Sequence, residues 1–468
     1  MKRLAVINAV GLCSELIGPH TPNICRYRDA TSSRRIRPAF PAVTCTAQSN
    51  YLTGLAPSEH GVVGNGWYHR ELAEVQFWKQ PNSIVRGEKL WEAMRREKPD
   101  FTCAKLFWWY NMNSSADVSM TPRPMYPADG RKFFDIYTDP FSVRPEVKEV
   151  LGEFPFPTFW GPAAGQQTPQ GSPDAVSKWI AEAAKWTEDR YHPDLNLIYL
   201  PHLDYNLQRF GPNHPEIHQD YSRLDAIVGD LISFFGRAGV DVCLLSEYGI
   251  SQVSQPIHLN REFRKKGWLT VKEELGLELL DCGQSRVFAV ADHQVCHIYV
   301  NDLTLTSEVR DCLESIDGVA AVLDGGGKQR ARIDHERAGD LIAVSEDHAW
   351  FTYYYWLDDS RAPDFARCVD IHRKPGYDPV ELFLDPKIAF PKLKIAWRLL
   401  QKKLGFRMLM DLIPLDASLV KGSHGNCPKN HKEHPIMIGP GLNDSGDEPI
   451  ESTQVTQELR RMLGSSGG

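Results

Sequence analysis

Four polar side chains lie where apolar segments of the sequence meet loops or helices. Asn8 belongs to the first apolar run, LAVINAV, whereas Asp204 and Glu247 follow the later runs LNLIYLPH and DVCLLSE. Thr44 lies between the loop PAFPAVT and a helical pattern. If the runs form parallel strands, all four side chains can meet at one edge of the sheet, where such folds bind ligands. The set would bring a hydroxyl, which is a candidate nucleophile, beside two carboxyl groups and an amide.

Thr44 has two interpretations. A helix N-terminus provides free N–H groups and partial positive charge, which suit a phosphate and a nucleophilic hydroxyl. A threonine at that place is also a common helix N-cap. The local sequence, taken alone, favours the capping role.

Longer motifs carry a resemblance. The stretch FPAVTCTAQSNYLTGLAPSEHGVVGN (residues 40–65) resembles the nucleotide pyrophosphatase/phosphodiesterase family, the type I phosphodiesterases of the alkaline phosphatase superfamily. LDYNLQRFGP (203–212), LLSEYGI (244–250) and KGSHGN (421–426) resemble further segments of that family. The strings YLPHLDY, DIHRKPGYDP and LVKGSHG are most similar to a bacterial subgroup encoded in ebo-type clusters. The resemblance implies that Thr44 is the nucleophile and that Asn65 binds the phosphoryl group.

The same resemblance implies two divalent metal ions, and here the chain departs from the family. At the first ion Asn8 and Glu247 replace aspartates and Tyr248 replaces a histidine; at the second, Asp204 and His424 are kept and Gln208 replaces a histidine. We expect one or two ions, zinc or manganese/magnesium, because neutral oxygen ligands shift preference away from zinc. The expected metal ligands are Asn8, Thr44, Asp204, Glu247, His424 and His372.

Other histidines could compensate for the missing ligands. His202, His258, His293 and His297 lie in or near apolar segments, where a hydrogen-bonded core histidine is the commoner interpretation. His372 and Arg373 are preferred, because DIHRKPGYDP is dense in charge beside turn residues. Arg373 could bind a phosphate in bidentate fashion, and Lys374 could pair with one.

The elements that must position these residues alternate between strand and helix. This pattern predicts an α/β fold with a mostly parallel central sheet flanked by helices, as in alkaline phosphatase. We expect the core in residues 1–109 and 173–285 and its completion, with a C-terminal helix, in 347–468. An aromatic and proline-rich insertion or cap is expected at 110–172, and a small α+β subdomain at 286–346.

Two segments could contact ligands or partners. The insertion region carries rings that could wall a pocket or pack as a core: Trp108, Trp109, Tyr110, Phe156, Phe159 and Trp160. Residues 390–410 form a basic amphipathic pattern, expected as a surface helix packed on the core. The alternatives are a weak membrane-surface contact and a lid over an anionic substrate.

Composition narrows the function. The net charge of −7 disfavours broad nucleic-acid binding, and no apolar run is long enough for a transmembrane segment. Ten cysteines without a paired motif and no signal-peptide pattern indicate a cytoplasmic protein. We expect metal-dependent hydrolysis of a phosphorylated small molecule. The alternatives are a non-catalytic relative that binds such a ligand and a phosphotransferase of the same superfamily.

Overall fold

The first strand is buried on both faces and therefore lies inside a sheet. In the computed structural model, which describes residues 2–129, 131–442 and 448–464, every residue of Leu4–Ala9 is buried. Continuous apolar strands of this kind belong to parallel sheets covered on both sides. The strands are β1 Leu4–Ala9, β2 Ser32–Arg37, β3 Gly66–His69, β4 Glu74–Phe77, β5 Cys103–Leu106, β6 Val118–Pro122, β7 Ile136–Asp139, β8 Leu195–Leu200, β9 Asp241–Leu245, β10 Ser251–Gln252, β11 Gln255–Ile257, β12 Val271–Glu274, β13 Leu277–Leu280, β14 Val287–Asp292, β15 Val295–Val300, β16 Val319–Leu323, β17 Leu341–Ser345, β18 Ala349–Phe351, β19 Gly422–Ser423, β20 Ile436–Gly439 and β21 Ile450–Glu451.

Helices connect and cover these strands. Helix α6 packs on β8, and α8 packs on β9 and β1. No helix in the described ranges combines the length and hydropathy that a bilayer crossing requires. The helices are α1 Pro22–Ala30, α2 Thr44–Thr53, α3 Pro57–His60, α4 Leu90–Glu97, α5 Val143–Leu151, α6 Ala175–Tyr191, α7 His202–Phe210, α8 Ile217–Arg237, α9 Leu259–Lys265, α10 Thr306–Glu314, α11 Gly325–Arg330, α12 Pro391–Lys403 and α13 Val455–Met462.

The central sheet has nine strands in the order β21-β2-β20-β9-β1-β8-β5-β6-β7. Strands β9, β1, β8, β5 and β6 run parallel, whereas β20 and β7 are antiparallel to their neighbours. Asn8 therefore ends up beside Leu245, two residues before Glu247. The predicted α/β fold with a mostly parallel sheet is confirmed, and its carboxyl edge gathers the polar residues.

A second, antiparallel sheet lies in residues 287–345, with the order β14-β15-β17-β16. It has its own apolar cluster, separate from that of the main sheet. Strands β14 and β15 form a hairpin whose connection is only His293 and Gln294. His293 adopts a left-handed backbone conformation with φ of 63°. This tight hairpin directs Asp292 and His293 toward α2, which begins at Thr44. The domain boundaries given above stay a prediction.

Candidate active site

Thr44 is the first residue of α2, but its hydroxyl does not cap the helix. The N-cap position belongs to Val43, which makes no side-chain cap bond. Thr44 Oγ1 instead lies 3.1 Å from the phenolic oxygen of Tyr248. Thr44 is almost fully buried, and it lines a cleft. The capping interpretation is therefore wrong, and the hydroxyl lies at the positive end of a buried helix, where an anion is stabilised.

Glu247 is fixed by two amide side chains. Asn8 Nδ2 and Gln48 Nε2 each donate to Glu247 Oε1 at 2.6 Å. Within the described part of the chain, Glu247 Oε2 and Asn8 Oδ1 are buried and have no hydrogen-bond partner. Burial raises the pKa of Glu247 to about 8, because a carboxylate is poorly solvated there. This carboxyl group is therefore mostly protonated at neutral pH in the structure as it stands.

Asp204 forms the other half of the site. It lies in the first turn of α7 and accepts a hydrogen bond of 2.6 Å from Gln208 Nε2, one turn later. Tyr248 donates its phenolic hydrogen to Asp204 Oδ1 at 3.4 Å, so Tyr248 connects Thr44 to this carboxyl group. Tyr377 donates to Gln208 Oε1 at 3.0 Å and fixes the amide. Burial raises the pKa of Asp204 to about 7.

Four aromatic rings stack in a row beside Thr44. Ring centroids are 3.6 Å apart for Tyr248 and His424, 3.8 Å for His424 and His293, and 3.6 Å for His293 and Tyr377. His424 Nδ1 lies 2.7 Å from the carbonyl oxygen of Ala42, so this nitrogen carries the proton. Burial holds the pKa of both histidines well below the usual range, so neither supplies a positive charge at neutral pH.

Asn65 reaches the site through Asp292. The Asn65 backbone N–H donates to Asp292 Oδ2 at 2.7 Å, and its Nδ2 donates to Asp292 Oδ1 at 3.0 Å. Asn65 Oδ1 accepts from the backbone N–H of Cys45, one residue after Thr44. His293 Nδ1 lies 2.8 Å from the same carboxyl group, while its Nε2 is buried without a partner. Asp292 thus orients an amide and an imidazole that both line the cleft.

The cleft encloses about 540 Å³ of empty space, part of it open to solvent. Of the polar groups described above, Thr44, Asn65, Asp204, His293 and His424 line it, whereas Asn8, Glu247 and Asp292 lie behind that lining, and its walls are mainly aromatic. Among the described residues, no lysine or arginine lines it. Of the predicted rings, Trp109, Phe159 and Trp160 are wall residues, whereas Trp108, Tyr110 and Phe156 pack elsewhere. The lining residues are Thr44, Asn65, Trp78, Trp109, Phe159, Trp160, Tyr199, Pro201, Asp204, Tyr205, Tyr248, His293, Ile371, Tyr377 and His424.

The predicted metal ligands only partly fit metal ions. Asn8 and Thr44 lie near Glu247, but that carboxyl group already accepts two amide hydrogens, and Tyr248 stands where a histidine was expected. Asp204 Oδ1 and His424 Nε2 are 3.8 Å apart, and Gln208 stands in place of the second histidine expected there. Within the described ranges, no three His, Cys, Asp or Glu side chains are grouped to hold an ion. The described side chains therefore do not fit the two-ion centre that the family resemblance implies; the number of ions, one or two, stays a prediction.

His372 and Arg373 do not reach the cleft, which corrects two predicted site residues. His372 Nδ1 lies 3.2 Å from the carbonyl oxygen of Phe77. Arg373 is exposed and faces Asp364 at 3.5 Å. Lys374 is buried with Asp378 and Glu381, both at 2.7 Å, so it stabilises the wall rather than binding phosphate. Of this segment, Ile371 and Tyr377 are described as lining the cleft.

The comparison with known proteins agrees with this geometry. The family model for type I phosphodiesterase / nucleotide pyrophosphatase matches residues 4–378. The chain belongs to this family. A human relative, ectonucleotide pyrophosphatase/phosphodiesterase family member 7, is 23% identical over 60% of this chain and 54% of its own length. An uncharacterized pyrophosphatase/phosphodiesterase of Schizosaccharomyces pombe is 22% identical over 46% and 38%, respectively. The chain thus spans about half or less of these relatives.

Solved structures show the same fold at low sequence identity. Murine ectonucleotide pyrophosphatase/phosphodiesterase 5, in an inactive form with AMP, superposes with a TM-score of 0.59 at 14% identity, covering 100% of this chain and 96% of that one. Phosphonoacetate hydrolase from Sinorhizobium meliloti 1021, in complex with phosphonoacetate, gives 0.61 at 14% identity over 99% and 96%. At this identity the likeness establishes the fold alone.

Proposed function

We propose that this family member hydrolyses a phosphate ester and that Thr44 is its nucleophile. The observation that carries the proposal is the placement of the Thr44 hydroxyl. It lies at the N-terminus of a buried helix, faces the cleft and is hydrogen-bonded to Tyr248. Membership in the phosphodiesterase family supports phosphoester chemistry. The AMP bound to the murine neighbour supports a small phosphorylated ligand.

The proposed reaction has two displacement steps. Thr44 Oγ1 attacks phosphorus, the P–O bond to the leaving group breaks, and a phosphothreonine forms; the leaving oxygen keeps the bonding electrons and takes a proton from solvent, unless it leaves as a stable anion such as an aryl oxide. Water then attacks phosphorus, gives a proton to solvent and displaces Thr44 Oγ1. The hydroxyl proton passes to Tyr248 as Tyr248 passes its own proton to the Asp204 carboxylate. The 3.4 Å contact between Tyr248 and Asp204 is long, as is common before substrate binds. In the second step the same chain of groups returns a proton to Thr44.

The charge of the cleft favours a phosphodiester over a monoester. A diester carries one negative charge at neutral pH, whereas a monoester carries close to two. The described cleft offers backbone N–H groups of α2 and the Asn65 amide, but no cationic side chain. Burying a second uncompensated charge would cost several kcal/mol. The diester is therefore the proposed substrate class.

Divalent metal ions are typical of the superfamily, and metal dependence stays a prediction for this chain. Because the described side chains do not fit two ions, no reaction step is assigned to them. Elemental analysis of protein purified without chelators or an affinity metal decides the question. About one equivalent would indicate an ion near Asp204 and His424, whereas no metal would leave the protein groups to act alone.

Thr44→Ala tests the proposal directly. We expect turnover of an aryl phosphodiester to fall by at least about a thousandfold, because the hydroxyl that forms the bond to phosphorus is removed. Thr53→Ala, the same change at the far end of α2, is the matched control and should retain activity. Intact-mass analysis of quenched wild-type reactions should detect a phosphorylated protein that Thr44→Ala lacks. Full activity of Thr44→Ala would contradict the nucleophile.

A non-catalytic binding protein is the second candidate, because Tyr248, Gln208 and Asn8 replace residues expected at the metal centre. In that case wild type and Thr44→Ala would bind a non-hydrolysable phosphonate diester equally, and neither would turn over any ester. A phosphotransferase would instead give a phosphorylated acceptor when an alcohol is added. Product analysis in the presence of glycerol separates this third candidate from a hydrolase.

A further inference from the structure

Helix α12 has its apolar side turned away from the protein. Leu393, Trp397, Leu400 and Leu404 repeat at helical spacing and form one stripe. Their side chains are exposed, by 68%, 57%, 44% and 64%, respectively. No residue of α12 is buried. The surface helix packed on the core, as expected from the sequence, is therefore wrong in its orientation.

Ion pairs hold the opposite side of the helix against the protein. Lys394 Nζ lies 2.8 Å from Asp411 Oδ2 and 2.7 Å from the Asp411 carbonyl oxygen. Arg398 Nη2 lies 2.9 Å from Asp411 Oδ1. Both basic side chains are partly buried. Lys394 and Arg398 thus fix the helix from its protein-facing side, and the apolar stripe stays exposed among the described residues.

Basic residues accompany the stripe: Lys392 and Lys403 lie beside it at helical spacing, Lys402 lies farther round the helix, and Arg407 follows the helix. Lys392, Lys402, Lys403 and Arg407 are exposed, and no acidic residue occurs between 390 and 410. None of the four has an acidic partner among the described residues. Phe390, Phe406 and Leu409, also exposed, extend the apolar surface beyond both ends of the helix. We call residues 390–409 the docking segment.

We propose that the docking segment binds the surface of an anionic lipid bilayer. Its apolar stripe would enter the region between headgroups and acyl chains, with Trp397 near the interface. The long stems of the flanking lysines and Arg407 would let their charges reach lipid phosphates. Basic residues near an anionic bilayer each add attraction that is strong at low salt. The segment lies on the surface and does not cross it.

Charge and geometry favour the bilayer over other occupants. Two copies facing each other through this segment would bring eight unpaired cations together, and like charges repel. An acidic groove that encloses a helix needs more than one free face, whereas Asp411 already occupies one side of α12. A flat anionic surface needs only the side that is free.

Vesicle co-sedimentation of the full chain tests the proposal. We expect binding to phosphatidylcholine vesicles that contain about a third phosphatidylserine, little binding to pure phosphatidylcholine, and loss of binding at high salt. The double variant Leu393→Ser/Trp397→Ser should bind at least about tenfold less. Leu275→Ser is the matched control, because Leu275 is a fully exposed leucine outside the segment, and it should bind like wild type.

Further variants separate the two forces. Lys402→Gln/Lys403→Gln should weaken binding and flatten its salt dependence, while leaving the apolar stripe intact. All these side chains are exposed, so the variants should fold; thermal unfolding checks this. Equal sedimentation of wild type and Leu393→Ser/Trp397→Ser, or no binding to anionic vesicles, would overturn the proposal. So would a wild-type dimer that this double variant converts to a monomer, because a second copy would then cover the stripe.

Discussion

At the residue scale, Tyr248 is the side chain that distinguishes this site, since its hydroxyl bridges Thr44 and Asp204. We expect Tyr248→Phe to lower kcat about a hundredfold, because proton transfer is lost while the ring still stacks on His424. KM should change little. The matched control is Tyr205→Phe, which removes a hydroxyl from the same cleft that has no hydrogen-bond partner.

The pH profile is the second readout for Tyr248. Burial raises the pKa of Asp204 to about 7, and only its carboxylate can accept the proton. The wild-type kcat should therefore rise with pH through about 7. In Tyr248→Phe this rise should be much smaller, because the path to Asp204 is cut. An unchanged profile with a lower rate would mean that Tyr248 has a merely structural role.

The raised pKa of Glu247 leads us to expect that the free energy of unfolding depends on pH. Its pKa in the folded state is raised to about 8 from an ordinary value of 4.5. The folded protein thus binds a proton that the unfolded chain releases, so stability is full below about pH 4.5 and is lost as pH rises through 8. We expect the Tm of wild type, measured in the presence of a chelator, to fall relative to that of Glu247→Gln as pH rises from 6 to about 9, because glutamine does not titrate. A constant difference would contradict the raised pKa and show that this carboxyl group is charged over the whole range.

At the element scale, the β14–β15 hairpin depends on an unusual backbone conformation at His293. Its positive φ costs a residue with a Cβ about 1 kcal/mol relative to glycine. His293→Gly and His293→Ala both remove the ring, so the difference between them isolates the backbone. We expect the glycine variant to be more stable by about 1 kcal/mol in urea unfolding. Equal stability would place the strain elsewhere.

The same hairpin shows where sequence reasoning ends. Apolar runs identified β1, β8 and β9, and parallel pairing at their ends correctly brought Asn8, Asp204 and Glu247 together. The position of His293 relative to the main sheet could not be predicted from the sequence. The segment ADHQVCH resembles a buried strand, yet it contains a two-residue turn that places His293 at the cleft. The sequence signal that could have indicated this turn is the polar Asp-His pair between two apolar runs. Conversely, the charged segment around His372 suggested a site, but its charges stabilise the cleft wall.

The orientation of α12 was also beyond the sequence, for a different reason. An amphipathic pattern gives the width of the apolar stripe but not what covers it. Here a single residue downstream of the helix, Asp411, decides the outcome by pairing with Lys394 and Arg398. Periodicity within the helix contains no information about that acid. The same amphipathic pattern is therefore compatible with a helix whose apolar stripe packs on the core and with one whose stripe faces solvent.

At the scale of the whole molecule, two features act on the same ligand. The net charge is −7 although residues 390–410 contain six basic residues and no acid, so the rest of the chain is more acidic than the total indicates. The cleft lies where residues that follow strands of the main sheet, such as Asp204 in α7, meet His293, in the turn between β14 and β15, and its walls are aromatic. The acidic protein repels a polyanion, and the described cleft has no cationic side chain to pair with the charges of such a ligand. A phosphodiester with a neutral aromatic group carries a single negative charge and can contact the aromatic walls, so it fits both the acidic protein and its cleft.

This combination predicts selectivity between substrates. We expect kcat/KM for bis(p-nitrophenyl) phosphate to exceed that for ATP by at least about a hundredfold, because extra phosphates meet no cation in the cleft. Trp160→Ala should lower kcat/KM for the aryl diester about tenfold through loss of ring contact, and Trp160→Phe should restore most of it. Both variants lose the bond from Trp160 Nε1 to Glu381, so their difference reports the ring rather than that bond. Comparable rates for ATP and the aryl diester would contradict this account, and would require a cation at the cleft that the protein does not itself provide.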